Sequence, residues 1–104
     1  MALQAGLGVT YLANPWCNSL RGGGAGVSFT APTTMQSKLH TAIAGASGTN
    51  AVSVGSATLV AVTSGAASNG ATALSNSPLW TNGGTSETIT DCSYWDQTPN
   101  FLFS

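Results

Sequence analysis

Met35-Gln36-Ser37-Lys38-Leu39-His40-Thr41 alternates along its length. Met35 and Leu39, with Ser37, fall on one side of an extended chain, and Gln36, Lys38 and His40 on the other, because successive strand side chains point to opposite faces. A period of two marks a half-buried β-strand. Downstream, residues 42–56 are rich in Gly, Ser, Ala and Asn and read as a loop with one weak strand around Val52–Val54. Ala57-Thr58-Leu59-Val60-Ala61-Val62-Thr63 is apolar and β-branched, which predicts a second strand. Ser68-Asn69-Gly70 is a turn of the Asn-Gly kind. Ala73–Trp80 reads as a further strand that Pro78 confines to a sheet edge.

Asn82-Gly83-Gly84 marks the next turn, and Thr88–Trp95 the next strand. That strand has two mixed faces, Thr88/Thr90/Cys92/Tyr94 and Ile89/Asp91/Ser93/Trp95, as suits one face on a core and one on a partner. Asp96–Asn100 turns the chain and Phe101-Leu102-Phe103 returns as a last short strand. Upstream, Tyr11, Leu12, Trp16, Cys17 and Leu20 recur at helical spacing. Asn14 is a good N-cap and Pro15 a good first residue, so a helix is predicted over about 15–21. Arg21 suits its C-terminal dipole and Gly22 its left-handed end. Gly22–Gly26 then reads as a linker: no Lys-Ser/Thr follows it, as a phosphate-binding loop requires. The fold class is therefore mainly β. It is a small antiparallel β-sandwich or barrel-like domain with one short N-terminal helix. Residues 1–104 make one domain, helical over about 9–21 and β over about 33–104.

Composition narrows the function. Ala, Gly, Ser, Thr and Asn supply 62 of the 104 residues, and only Arg21, Lys38, Glu87, Asp91 and Asp96 are charged. An average domain is roughly a quarter charged. With two cations and a net charge of -1, the chain has no surface for tracking phosphates and no basic amphipathic face for a membrane. Low net charge with abundant Thr, Val and aromatics also argues against disorder. MALQAGLGVTYLANPW lacks the charged and apolar regions of a targeting segment, so synthesis in a reducing cytoplasm is expected. Two cysteines do not make a secreted disulfide framework. A bridge between Cys17 and Cys92 and a pair of free thiols both remain open.

The residues that carry chemistry are few. Cys17, His40, Asp91 and Cys92 lack the spacing of a metal site, and Asp91 and Cys92 point to opposite faces of one strand. No Gly-x-Ser-x-Gly surrounds a serine, and His40 reads as a surface residue of a polar strand face. Glu87, Asp91 and Asp96 read as solubilising edge charges rather than a glycosidase pair. No catalytic, cofactor or metal residue is assigned. The bulky rings stand out instead. Trp16, Trp80, Trp95, Phe101 and Phe103 are expected to divide between core and intersubunit contact, since Trp dominates interface anchors. Exposed Trp80 or Trp95 would also serve a carbohydrate-binding adhesion module, by stacking on sugar rings.

Four segments carry a family resemblance. They are Tyr11-Leu12-Ala13-Asn14 with Ser19-Leu20-Arg21-Gly22; Phe29-Thr30-Ala31-Pro32 with Lys38-Leu39-His40-Thr41; Gly65–Gly70 running to Leu74-Ser75-Asn76; and Trp80-Thr81-Asn82 with Thr88-Ile89-Thr90 and Tyr94-Trp95-Asp96. In this order they resemble small virion proteins of tailed bacteriophages, common in phages of actinobacteria and of the tail fibre-like, minor tail or capsid decoration type. Two departures stand out: Ala42–Ala46 replaces a loop of Asp-Pro-Gly type, and the chain stops at Ser104, before a further pair of strands. An edge left unpaired there would be completed by a neighbouring subunit.

The resemblance implies a non-enzymatic structural protein of the virion. Capsid decoration is the leading expectation, with the major capsid protein and further copies of itself, in a closed ring such as a trimer, as partners. A minor tail or fibre-like protein touching the host is the alternative. No cofactor, nucleic acid or membrane partner is expected.

Overall fold

A computed structural model describes residues 8–20 and 31–104. The readings on Arg21, on the 22–26 glycines and on Phe29 and Thr30 lie outside them. A π-helical turn, Val9–Ala13, runs into a short helix α1, Asn14–Ser19. Four strands follow: β1 Met35–His40, β2 Val60–Val62, β3 Asp91–Trp95 and β4 Phe101–Phe103. They form one antiparallel sheet in the order β2-β1-β3-β4. The mainly β, antiparallel class with one short helix is thus observed. The sheet is open, with no second sheet among the described residues. Three-residue edge strands offer too little apolar face to close a barrel or hold a second layer.

The alternating stretch at 35–40 is the centre of this sheet. Ser37 pairs with Val60 on one side and Tyr94 on the other, and His40 pairs with Asp91. A register shift at Tyr94/Trp95 lets β4 serve both faces of β3. Phe103 stacks on Tyr94 with ring centroids 4.6 Å apart, and Phe101 meets Trp95 edge-on at 5.5 Å. The core is small and mixed. Ala44, Val62, Trp95, Phe101 and Leu102 are buried, but so are Ser37, His40, Ser53, Ser56 and Ser93.

Several elements depart from the sequence reading. The helix is capped at Ala13 rather than Asn14, which occupies the first helical position, with no side-chain cap bond. The stripe over 11–20 is not covered: Tyr11, Trp16 and Leu20 are exposed and α1 buries no residue. The second strand shrinks to Val60–Val62, and Ala73–Trp80 forms no strand. There, Leu74 makes a single bridge to Ser64, and Ser68 pairs with Ala71 across the Asn69-Gly70 turn. Residues 63–77 are exposed throughout. Their Ser, Ala and Thr side chains have too little apolar area to drive the arm onto the sheet.

Each outer edge of the sheet is partly capped by the chain itself. Asn76 lies along β2 like a peptide group: its Nδ2 donates to the Ala61 carbonyl at 3.0 Å, and its Oδ1 accepts from the Thr63 N–H at 2.9 Å. On the far edge, the Gly8 N–H donates to the Leu102 carbonyl. Both contacts use groups that an added strand would need.

Candidate functional site

His40 is the first site residue that the structure relocates. It is completely buried, not a surface residue. Residues 50–53 cross beside the end of β1, with Thr41 N–H bonded to Ala51 O and Ser53 N–H to Leu39 O. This crossing covers the polar side of the strand. The Asn50 carbonyl can only accept, so His40 Nδ1–H donates to it at 2.7 Å. In that tautomer Nε2 accepts from the Ser93 hydroxyl at 2.7 Å. Ser93 Oγ in turn accepts from Trp95 Nε1–H, also at 2.7 Å. The result has the outline of a Ser-His pair. It lacks a carboxylate on the imidazole and access for a substrate, because both side chains are fully enclosed. Its role is to satisfy buried polar groups.

The three carboxylates also leave the roles that the sequence implied. They are loop clamps rather than edge charges. Glu87 accepts from Ser53 Oγ at 2.6 Å, Val54 N–H at 2.8 Å and Gly55 N–H at 3.0 Å. The Ser53 hydroxyl first, then the two backbone N–H groups, hold Glu87 below the ordinary carboxylate range against a small desolvation effect. Asp91 accepts from the Ala44 N–H at 3.0 Å and from the Cys92 N–H at 2.9 Å. Asp96 accepts from Thr98 N–H, Asn100 N–H and Asn100 Nδ2 at 2.7–2.8 Å. Desolvation pushes Asp96 up, but the hydrogen bonds from Thr98 and Asn100 outweigh it and leave the group lowered.

The sign of the pH dependence follows. A carboxylate lowered on folding contributes stability above its unfolded value, and that contribution is lost as pH falls through the folded value. Acidification below the normal Glu range should therefore release the 53–55 loop. We expect the protection of the Val54 and Gly55 amides, relative to intrinsic exchange at the same pH, to fall there, and Glu87→Gln to show the low protection already at neutral pH. Equal protection in wild type and variant at neutral pH would exclude the clamp.

The five bulky rings are spread across the molecule. Trp95 and Phe101 are core residues, Phe103 is half-buried on Tyr94, and Trp16 is 53% exposed on α1. Trp80 is half-buried, with Nε1–H donating to the Thr58 carbonyl at 3.1 Å. Lys38 Nζ sits 5.1 Å from the Trp95 ring centre, a cation–π contact. Cys17 and Cys92 are both free. The Tyr94 hydroxyl is pushed up to about 12 by its hydrogen bond with Cys92, with burial and the Cys92 charge adding to it. Among the described residues, no group of three or more His, Cys, Asp or Glu side chains could hold a metal ion.

Two grooves among the described residues offer places for a ligand. One, of about 270 Å³, is apolar and lies among Met35, Val62, Leu74, Tyr94 and Phe103. The other, of about 300 Å³, is bounded by Tyr11, Ser47, Thr49, Trp95, Pro99 and Asn100. The π-helical turn supplies Tyr11, the 44–50 loop supplies Ser47 and Thr49, and the β3–β4 turn supplies Pro99 and Asn100. Trp95, and Phe101 which also lines the groove, were singled out from the sequence as site residues. The other five come from separate segments and share no local pattern.

Comparison with known proteins was made against family models, curated proteins and solved structures. No curated protein and no solved structure matches the chain. A family model described as "Podophage GP4 fiber I protein gp80" matches residues 9–103, which includes α1 and all four strands. With nearly its whole length inside that match, the chain belongs to the fiber I protein family of podophages, a family of virion fibre proteins.

Proposed function

We propose that the protein is a non-enzymatic structural subunit of a phage tail fibre, working as one of several copies and placed where the virion meets its host. The observation that carries this reading is the family match over residues 9–103. It favours the fibre alternative over capsid decoration and lends no support to an actinobacterial phage. The buried state of the Ser93–His40 pair agrees with a structural role. Self-association is supported by surface chemistry. Tyr11, Trp16, Leu20, Ile43, Val54, Leu74 and Leu79 are all about half exposed or more. A surface short of charge also loses little hydration when a neighbour covers it.

Virions carrying an epitope tag on this chain test the location. Gold label on fibres attached to the tail is the expected result, and label spread over the head would return the decoration reading. Light scattering of the purified protein tests self-association, with a mass that is a multiple of 10.4 kDa expected.

A further inference from the structure

The groove between the π-helical turn and the β3–β4 turn has chemistry of its own. Three rings line it: Tyr11, 49% exposed, and the largely buried Trp95 and Phe101, with the Trp95 indole N–H turned inward onto Ser93. What Trp95 can offer a ligand is therefore ring carbon. The polar side chains of the lining are neutral: the Thr10, Ser47 and Thr49 hydroxyls and the Asn100 amide. Asn100 Nδ2 is engaged by Asp96, which leaves its Oδ1 as an acceptor. Among the described residues no charged side chain lines the space, although Lys38 Nζ lies 5.1 Å from the centre of the Trp95 ring. The wall is also pre-set. Ser47 and Thr49 hydrogen-bond to each other at 2.8 Å, and the loop is closed by Gly48 N–H to Gly45 O and Asn50 N–H to Ala44 O.

From these features we infer that the groove is a binding site for a neutral saccharide unit. A sugar ring has an apolar C–H face and a rim of hydroxyls. The first packs on aromatic carbon, and the second bonds to hydroxyl and amide groups. A phosphate or carboxylate ligand would call for a cation or a cluster of N–H donors, and the lining has no cation among the described residues. A volume of about 300 Å³ lies at the small end of ligand clefts, enough for one or two sugar rings. The apolar groove beside Phe103, whose polar lining is Ser64, Thr72 and Tyr94, is not assigned a ligand. The inference does not rest on the fibre reading, because it concerns what the isolated chain binds rather than where it sits in a particle.

The test is an amide-detected NMR titration of the full chain. The probes are neutral trisaccharides of hexose and of N-acetylhexosamine, alongside uronic acid-containing and sialylated counterparts. Saturable shifts confined to Thr49, Asn100 and their neighbours are expected with at least one neutral sugar, and none with the acidic set. Tyr11→Ala should weaken binding about tenfold, the usual scale of one aromatic contact. Thr49→Arg, which fills the groove from the opposite wall, should weaken it as much, whereas Trp16→Ala should leave it unchanged. Three results would overturn the assignment: no saturable response to a neutral sugar across the millimolar range, a preference for the acidic set, or shifts at these amides that track protein concentration alone. The last would mean that a second copy fills the groove. Each leaves the location experiment unaffected.

Discussion

Replacing His40 with Ala is expected to lower unfolding stability by about 3–5 kcal/mol, a large share of the roughly 5–15 kcal/mol of a small domain. Two groups lose their partner at once. The Asn50 carbonyl loses its 2.7 Å donor and the Ser93 hydroxyl its 2.7 Å acceptor. Leaving a buried polar group unsatisfied costs about 1–3 kcal/mol, and the missing imidazole adds a cavity term. Ser93→Ala should cost about 2–4 kcal/mol for the same reason, since it strands both His40 Nε2 and Trp95 Nε1. The double variant should lose less than the two single losses combined, because the groups act in one network. Urea unfolding followed by tryptophan fluorescence measures all three, with Trp95 inside the network as a reporter. A His40→Ala loss within about 0.5 kcal/mol, the scale of a surface change, would show that the imidazole is not part of the core.

The second large effect is expected at Gly48. Its φ is +68°, in the left-handed region, and a Cβ placed there would lie 2.3 Å from Cδ2 of the Phe101 ring. Phe101 is itself buried against Trp95, so the ring has little room to retreat. Gly48→Ala therefore combines backbone strain of about 1–2 kcal/mol with overpacking of about 1–3 kcal/mol. We expect a loss of about 2–5 kcal/mol in the same urea assay. Gly70→Ala separates the two contributions: its φ is +74°, but nothing lies within 4 Å of the added carbon. It should show the strain alone. If the two variants lose equal stability, the contact between the 44–50 loop and Phe101 carries no weight.

These predictions concern residues that local pattern did not mark as critical. Alternation over Met35–His40 placed a strand correctly, because strand geometry depends on the residue and its immediate neighbours. It also placed His40 on the polar face. That face became interior only when residues 50–53 crossed it and Ser93 arrived from 53 positions away. Glu87 likewise reads as an isolated charge until folding brings it to Ser53, 34 residues upstream. The stripe of Tyr11, Trp16 and Leu20 shows the opposite error. Helical spacing established which side chains share a face, while a covering surface depended on the rest of the chain. Ala73–Trp80 had strand-like residues, but its exposed arm lacked a layer to pack against.

What could be read from residue order alone was whatever a few adjacent torsions or an overall composition decide. The β-rich class, the Asn69-Gly70 turn with φ of +52° and +74°, the short helix near Pro15 and the scarcity of charge are of this kind. The buried His40–Ser93–Trp95 chain, the carboxylate clamps, the capped sheet edges and the groove beside Tyr11 were settled only in three dimensions. Each joins segments far apart in sequence, and the free energy of such contacts depends on burial and on partner geometry that local spacing does not contain.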